Sequence, residues 1–336
     1  MKKRYLVAGA IGGAIGATIA YKMLSRDSEV NWEDVFEDVI HSEHSHFVEV
    51  DGARIHFQEF GARGNPTLLL IHGYTASTYS WHKVTLTLAE MGFHVIAVDL
   101  LGFGFSGKPR WFDYAITSQA RMISRFMNRL GIGRATVVGC SYGGAVAATV
   151  ALDYPEFVEK LILVDAISND EVKNQTIFRL AGLPGIGEVV AAFLTDSRYF
   201  SRARMHNTLA PDNHHLITNE RVEAIVRPLS AADAHNSALI TLRNWDANRI
   251  EADAHLINHQ TLIIWGEEDT VVPVRNGERL HRSILNSRMV VFRKCGHVPQ
   301  EEYPEGFVQV VTDFCHDKQG RIDVGGNERM RLGTNE

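Results

Sequence analysis

The stretch Thr136-Val137-Val138-Gly139-Cys140-Ser141-Tyr142-Gly143-Gly144-Ala145-Val146-Ala147 constrains the fold of this 336-residue chain more than any other. It opens on β-branched residues, as a buried strand does, and closes on small residues and Val, as a tightly packed helix does. Gly-x-Ser-x-Gly lies between them, with almost no residues left for a loop. So abrupt a change from strand to helix strains the backbone of the apex residue. Gly139 and Gly143 remove the side chains that would collide across the turn. Ser141 Oγ is thereby pushed out at the carboxyl edge of a sheet, with the first helical N–H groups aimed at whatever it attacks. The competing reading is a structural turn whose serine only caps the helix.

Other apolar runs repeat the strand pattern. Residues 47–50 and 54–60 read as a hairpin turning at Asp51-Gly52. Thr67–Ile71, His94–Val98, residues 160–165, Thr261–Gly266 and residues 288–293 read as further buried strands. Helical spacing falls between them at residues 79–91, 118–130 and 274–281, and again at Pro304–Cys315. The alternation predicts an α/β fold: a mostly parallel, eight-stranded sheet with helices on both faces. From 166 to 260 the strands stop and helical spacing takes over at 177–194, 220–229 and 231–242. This predicts an inserted helical cap, broken at Gly182, Pro184-Gly185 and Gly187, and an insertion of that size reads as a lid. The core is therefore expected at 47–165 and 261–316, and the polar, Gly-rich residues 317–336 as a disordered tail.

The first 25 residues differ from the rest. Met1-Lys2-Lys3-Arg4 precedes an uncharged run, and if Lys22 snorkels, residues 5–24 are just long enough to span a membrane. A cleaved signal peptide is the rival, although Thr18-Ile19-Ala20 is a poor Ala-x-Ala site. The basic start orients an uncleaved anchor with the body outside the cytoplasm, which in a bacterium is the periplasm. Residues 26–46 read as a polar stalk, with His41, His44 and His46 solvated rather than metal-binding, since nothing nearby completes a metal site. A net charge of −6 with no long basic run excludes nucleic acid as a partner. Cys140, Cys295 and Cys315 have no metal-binding spacing, and no metal or cofactor is expected. Cys140 and Cys295 flank the site, where thiol reagents could reach them without either being a nucleophile.

A serine needs a base, and His297 follows the last strand in Cys295-Gly296-His297. The histidine needs an acid, and Asp269 follows strand Thr261–Gly266. Asp165, also at a strand end, is the rival acid. The order Ser141, Asp269, His297 is that of α/β-hydrolase triads. With His72-Gly73, Gly266-Glu267-Glu268-Asp269 and Gly296-His297 also at strand ends, residues 47–315 resemble the α/β-hydrolase-fold family, serine esterase and lipase type. Within it, the chain is similar to membrane-anchored bacterial lipases and monoacylglycerol lipases. The resemblance implies an oxyanion hole built from the backbone N–H groups of Tyr74 and Tyr142. The second also follows from its place at the start of the helix behind Ser141. His72 is expected to hold the oxyanion loop, and Asp99 with residues 102–104 to shape a turn.

The resemblance implies hydrolysis of a small-molecule ester. An apolar cap beside a membrane anchor points to lipid or acyl-chain substrates, with Leu180, Leu183 and Phe193 expected to line the acyl pocket. The alternative is a carbon–carbon hydrolase of aromatic ring-cleavage products, which uses the same triad. Those relatives usually carry Trp just after the histidine, where this chain has Val298-Pro299-Gln300. A non-catalytic ligand-binding protein on the same fold is the reading from another class, and the intact triad argues against it.

Overall fold

Leu68, Leu69, Leu70 and Ile71 are all fully buried, because successive side chains of a central strand enter cores on opposite faces of the sheet. In a computed structural model describing residues 30–174, 176–231, 233–316 and 330–332, Leu69 and Ile71 join one apolar cluster and Leu68 and Leu70 the other. The strands are β1 Ser45–Val50, β2 Ala53–Phe60, β3 Thr67–Ile71, β4 His94–Val98, β5 Ala135–Cys140, β6 Val158–Val164, β7 Thr261–Gly266, β8 Ser287–Phe292 and β9 Met330–Leu332. Their order across the sheet is β1-β2-β4-β3-β5-β6-β7-β8-β9, antiparallel at the β1–β2, β2–β4 and β8–β9 pairs and parallel between. Helices Ile116–Arg129 and Tyr142–Asp153 contribute to one core, and Thr85–Glu90 and Pro304–Cys315 to the other.

Eight strands and both layers match the expectation, and the differences have local causes. The expected disordered tail at 317–336 requires correction at its described residues, where Met330–Leu332 adds a ninth strand, pairing Val290 with Leu332 and Phe292 with Met330; its other residues lie outside the described ones. The helix expected over 79–91 is two pieces, a 3₁₀ turn Thr78–Trp81 and the helix Thr85–Glu90. The stalk at 26–46 also requires correction, since from Trp32 onward the segment packs on the body. The Trp32 ring lies 5.2 Å from Phe47, 5.1 Å from His56 and 5.2 Å from Phe105. His44 stacks 4.4 Å from Phe60 and bonds the Glu59 carbonyl, His41 bonds the His82 carbonyl, and Arg227 of the cap pairs with Asp38. The many acids of the segment obscured the few rings that anchor it. The expected membrane-spanning run at 5–24 lies outside the described residues; among the described ones, no helix is long and apolar enough to cross a membrane.

Between β6 and β7 every described element is helical, as expected of a cap, with α-helices at Thr176–Ala181, Ile186–Asp196, Arg198–Thr208, Asn219–Val226, Ala234–Arg243 and Asn248–Asp253. The pattern at 177–194 is split by the turn around Gly185, which adopts a positive φ of 79°.

Candidate active site

The elbow after β5 is as tight as the sequence requires. Ser141 has φ 55° and ψ −117°, a conformation that costs a non-glycine residue roughly 1–3 kcal/mol and that the surrounding packing imposes. A methyl group on Gly139 would sit 2.2 Å from the Gly143 carbonyl oxygen, and one on Gly143 2.3 Å from the Ile71 carbonyl oxygen. Two neighbouring strand ends carry the same kind of strain, with Thr75 beyond β3 at φ 53° and Asp165 beyond β6 at φ 43°. Positive-φ residues at three strand ends point the backbone toward one place.

His297 and Asp269 meet there. His297 Nδ1 lies 2.7 Å from Asp269 Oδ2, and Asp269 Oδ1 accepts from the amides of Val271 at 2.8 Å and Val272 at 3.0 Å. With Nδ1–H donated to the carboxylate, Nε2 is left to accept a proton. Ser141 and His297 line one pocket, although Ser141 Oγ makes no hydrogen bond to the ring in this structure. Such contacts often tighten only when substrate is bound. The imidazole loop is fixed from the cap side: His297 N–H donates to the Thr208 carbonyl at 2.7 Å. Glu302 accepts from the amides of Gly296 at 2.9 Å and Ala210 at 3.0 Å.

Asp165, the rival acid, is fully buried behind this pair. Its Oδ1 accepts from Gly266 N–H at 2.9 Å, while its Oδ2 has no hydrogen-bond partner. Burial first, and then the negative charge of Asp269, raise its pKa well above the carboxylate range. Burial thus favours the protonated form of Asp165, and it is Asp269 whose carboxyl group holds the histidine. Ligand atoms of Asp165, Asp269 and His297 fall within 4.8 Å of one another, a spacing compatible with a metal ion, but His297 Nδ1 and Asp269 are already joined in the relay.

The loop that follows β3 is held by a neutral histidine. Leu100 N–H donates to His72 Nε2 at 3.0 Å, so the ring proton sits on Nδ1 and is donated to the Gly73 carbonyl at 2.7 Å. Burial lowers the pKa of His72 and keeps it uncharged. Tyr74 and Tyr142 donate their hydroxyls to the carbonyls of Ala238 and Tyr114. Cys140 and Cys295 are buried, and burial raises both thiols, so the expected sensitivity to thiol reagents has no exposed group behind it.

The pocket encloses about 1020 Å³, its open mouth included. Its apolar wall is drawn mainly from the cap: Phe178, Met205, Ile225 and Trp245, with Val298 from the histidine loop. Leu180 and Leu183, expected in that wall, instead face outward at 41% and 46% exposure. The Phe193 side chain lies outside the described residues. The cap helices are short and each meets the body at its own angle, so spacing alone selected the wrong face. Sequence reasoning missed Thr75, Arg204, Thr208 and Glu302, because a single polar residue on a cap helix or loop carries no local signal.

A strained serine elbow, a histidine paired with an acid and a capped pocket at the carboxyl edge of a parallel sheet together define a hydrolase of the α/β type. The family described as alpha/beta hydrolase fold matches residues 66–304, and the chain belongs to it. The chain is 30% identical to a 2-hydroxy-6-oxononadienedioate/2-hydroxy-6-oxononatrienedioate hydrolase of Burkholderia vietnamiensis, over 83% of this chain and 98% of that one. It is 28% identical to an uncharacterized hydrolase of Bacillus subtilis, over 79% and 95%. Among solved structures, a membrane phospholipase A described as a bacterial virulence factor superposes with a TM-score of 0.71 at 26% identity, over 95% of this chain and 100% of that one.

Proposed function

We propose that the protein is a serine hydrolase that cleaves carboxylic esters with a sizeable acyl part. The observation that carries this reading is the opening of Ser141 and His297 onto a pocket whose cap wall is largely apolar. Ser141 Oγ attacks the ester carbonyl as His297 Nε2 takes its proton, and Asp269 stabilises the imidazolium through Nδ1–H. The N–H groups of Tyr74 and Tyr142 receive the oxyanion. Collapse of the tetrahedral intermediate breaks the bond to the alcohol, which leaves with the proton from Nε2. Water then attacks the acyl-serine by the same steps, with His297 again as base.

The phospholipase superposition supports a lipid ester. The Burkholderia vietnamiensis relative supports the second reading, carbon–carbon cleavage of a ring-cleavage dienoate by the same three residues. A panel of p-nitrophenyl esters from acetate to palmitate, monoacylglycerols and dienoates separates them. Esters are expected to turn over and dienoates not, and the reverse would overturn the ester reading. Ile225→Trp, in the pocket wall, should cost long-chain esters roughly 5- to 100-fold more than acetate, since blocking buried methylenes removes roughly 1–3 kcal/mol of binding. Equal loss at every chain length would make the cap a support and not an acyl pocket.

The location belongs to the same proposal: residues 5–24 hold the body at a membrane, on the non-cytoplasmic side. Full-length protein is expected to pellet with membranes and resist a high-salt wash. Its recovery from the soluble fraction with an intact N-terminus would contradict this.

A further inference from the structure

Arg204 has no counter-charge among the described residues. It projects from the cap helix Arg198–Thr208 into the wall of the pocket that holds Ser141 and His297. Its Nη1 donates to Thr75 Oγ1 at 2.7 Å, and among the described residues no carboxylate pairs with it. Four other arginines of the cap are paired, Arg198 with Glu223, Arg227 with Asp38, Arg243 with Glu188 and Arg249 with Asp153, while Arg202, on the same helix but outside the pocket, spends its donors on the Ile217 carbonyl and Asn219 Oδ1. Arg221, in the same pocket, lies 3.0 Å from Glu301. Asp269, the acid closest to the reacting atoms, is engaged by His297.

A guanidinium offers a planar fork of donors, and a single bond to a threonine leaves most of that fork unused. Withdrawal from water lowers the pKa of Arg204, the sign of a charge held where it is poorly solvated. Fixing Thr75 would require only a neutral donor, so the charge calls for a second explanation. Thr75 follows Tyr74 directly, which places the cation next to the proposed oxyanion hole.

We infer that Arg204 receives an anionic oxygen group of the substrate, a carboxylate or a phosphate, and that the esters cleaved at Ser141 are therefore negatively charged amphiphiles. This rests on the ester-hydrolase reading and names its substrate class. A fork-to-fork pair with either anion uses the donors left by Thr75. It would set the substrate with its charge beside the oxyanion loop and its chain along Met205, Ile225 and Val298.

The test compares two p-nitrophenyl esters of equal length, the valerate and the glutarate half-ester, which differ by one carboxylate. Wild-type kcat/KM should favour the half-ester by roughly 10- to 100-fold, the range expected of a hydrogen bond to a charged group. Arg204→Gln should bring that ratio to about one or below, mainly through KM, and Arg204→Lys should restore part of it. Thr75→Ala, which removes the loop contact but keeps the charge, should lower both esters alike and preserve the preference. Inhibition by octanoate and by octyl phosphate, each compared with octanol, identifies the source, because the favoured anion loses more affinity in Arg204→Gln. A wild-type ratio near one, or an equal loss on both esters in Arg204→Gln, would overturn the inference and leave Arg204 a loop support. If no ester were hydrolysed and Ser141 took no fluorophosphonate, the ester reading itself would fail. Calorimetric binding of octanoate and octyl phosphate to wild type and Arg204→Gln would then still decide the role of Arg204.

Discussion

Ser141→Ala, His297→Ala and Asp269→Asn will each lose most of the turnover, by a factor of roughly 10⁴ to 10⁶ for the serine and the histidine, while the fold stays intact. The losses will not add, because the three groups move one proton in one step and removing any of them disables the rest. The Asp269 arm identifies the acid. Asp269 accepts from the Val271 and Val272 amides as well as from His297, so Asn at this position can keep the loop but cannot hold the imidazolium. Asp165→Asn should be far milder, since burial favours its protonated form, its bonded oxygen accepts from the Gly266 amide and it makes no hydrogen bond to His297. Steady-state kinetics with a short activated ester measures all four variants. An active Asp269→Asn beside a dead Asp165→Asn would reverse the assignment.

Asp99→Asn is expected to destabilise the protein by about 2 kcal/mol, within the cost of leaving a buried hydrogen-bonding group unpaired. The carboxylate is fully buried and accepts from His56 Nδ1 at 2.7 Å, Thr78 N–H at 2.6 Å and Phe105 N–H at 2.8 Å. An amide in its place must turn its NH₂ toward one of these donors, leaving a buried N–H unpaired. Burial alone would raise the pKa of Asp99, but the adjacent His56, through charge and hydrogen bond, outweighs it and the net shift is downward. A depressed folded pKa stabilises the native state above the unfolded value, about 3.9, and that contribution fades as pH falls through the folded value. Urea unfolding should therefore show a gap between wild type and Asp99→Asn that is full at pH 7 and closes below about pH 4. A gap within about 0.5 kcal/mol at pH 7, the range of an ordinary surface substitution, would mean that Asp99 does not hold this turn.

The sheet was legible because each central strand states its burial in a short apolar run and each ends in a punctuating motif. Ser141, Asp269 and His297 were legible for the same reason: each follows a strand, so order along the chain stands in for proximity in space. The cap was legible only as helical. Its helices are short and each meets the body at its own angle, so spacing within one helix does not say which face lines the pocket; Leu180 and Leu183 were placed inward and Met205 and Ile225 were overlooked. Residues 30–46 were misread because their acids outnumber Trp32 and Phe36, whose packing partners Phe47, His56 and Phe105 are reached only after folding. The β9 strand gave no warning, since three residues paired at a sheet edge need no hydrophobic pattern.

The central claim is that Ser141 is a nucleophile activated through His297. Intact-protein mass spectrometry after treatment with a fluorophosphonate tests it without any choice of substrate. Wild type should gain the mass of one adduct, mapping to the peptide that contains Ser141. The adduct should be absent from Ser141→Ala and form far more slowly in His297→Ala. An unmodified wild type, or an adduct that persists in Ser141→Ala, would contradict the account.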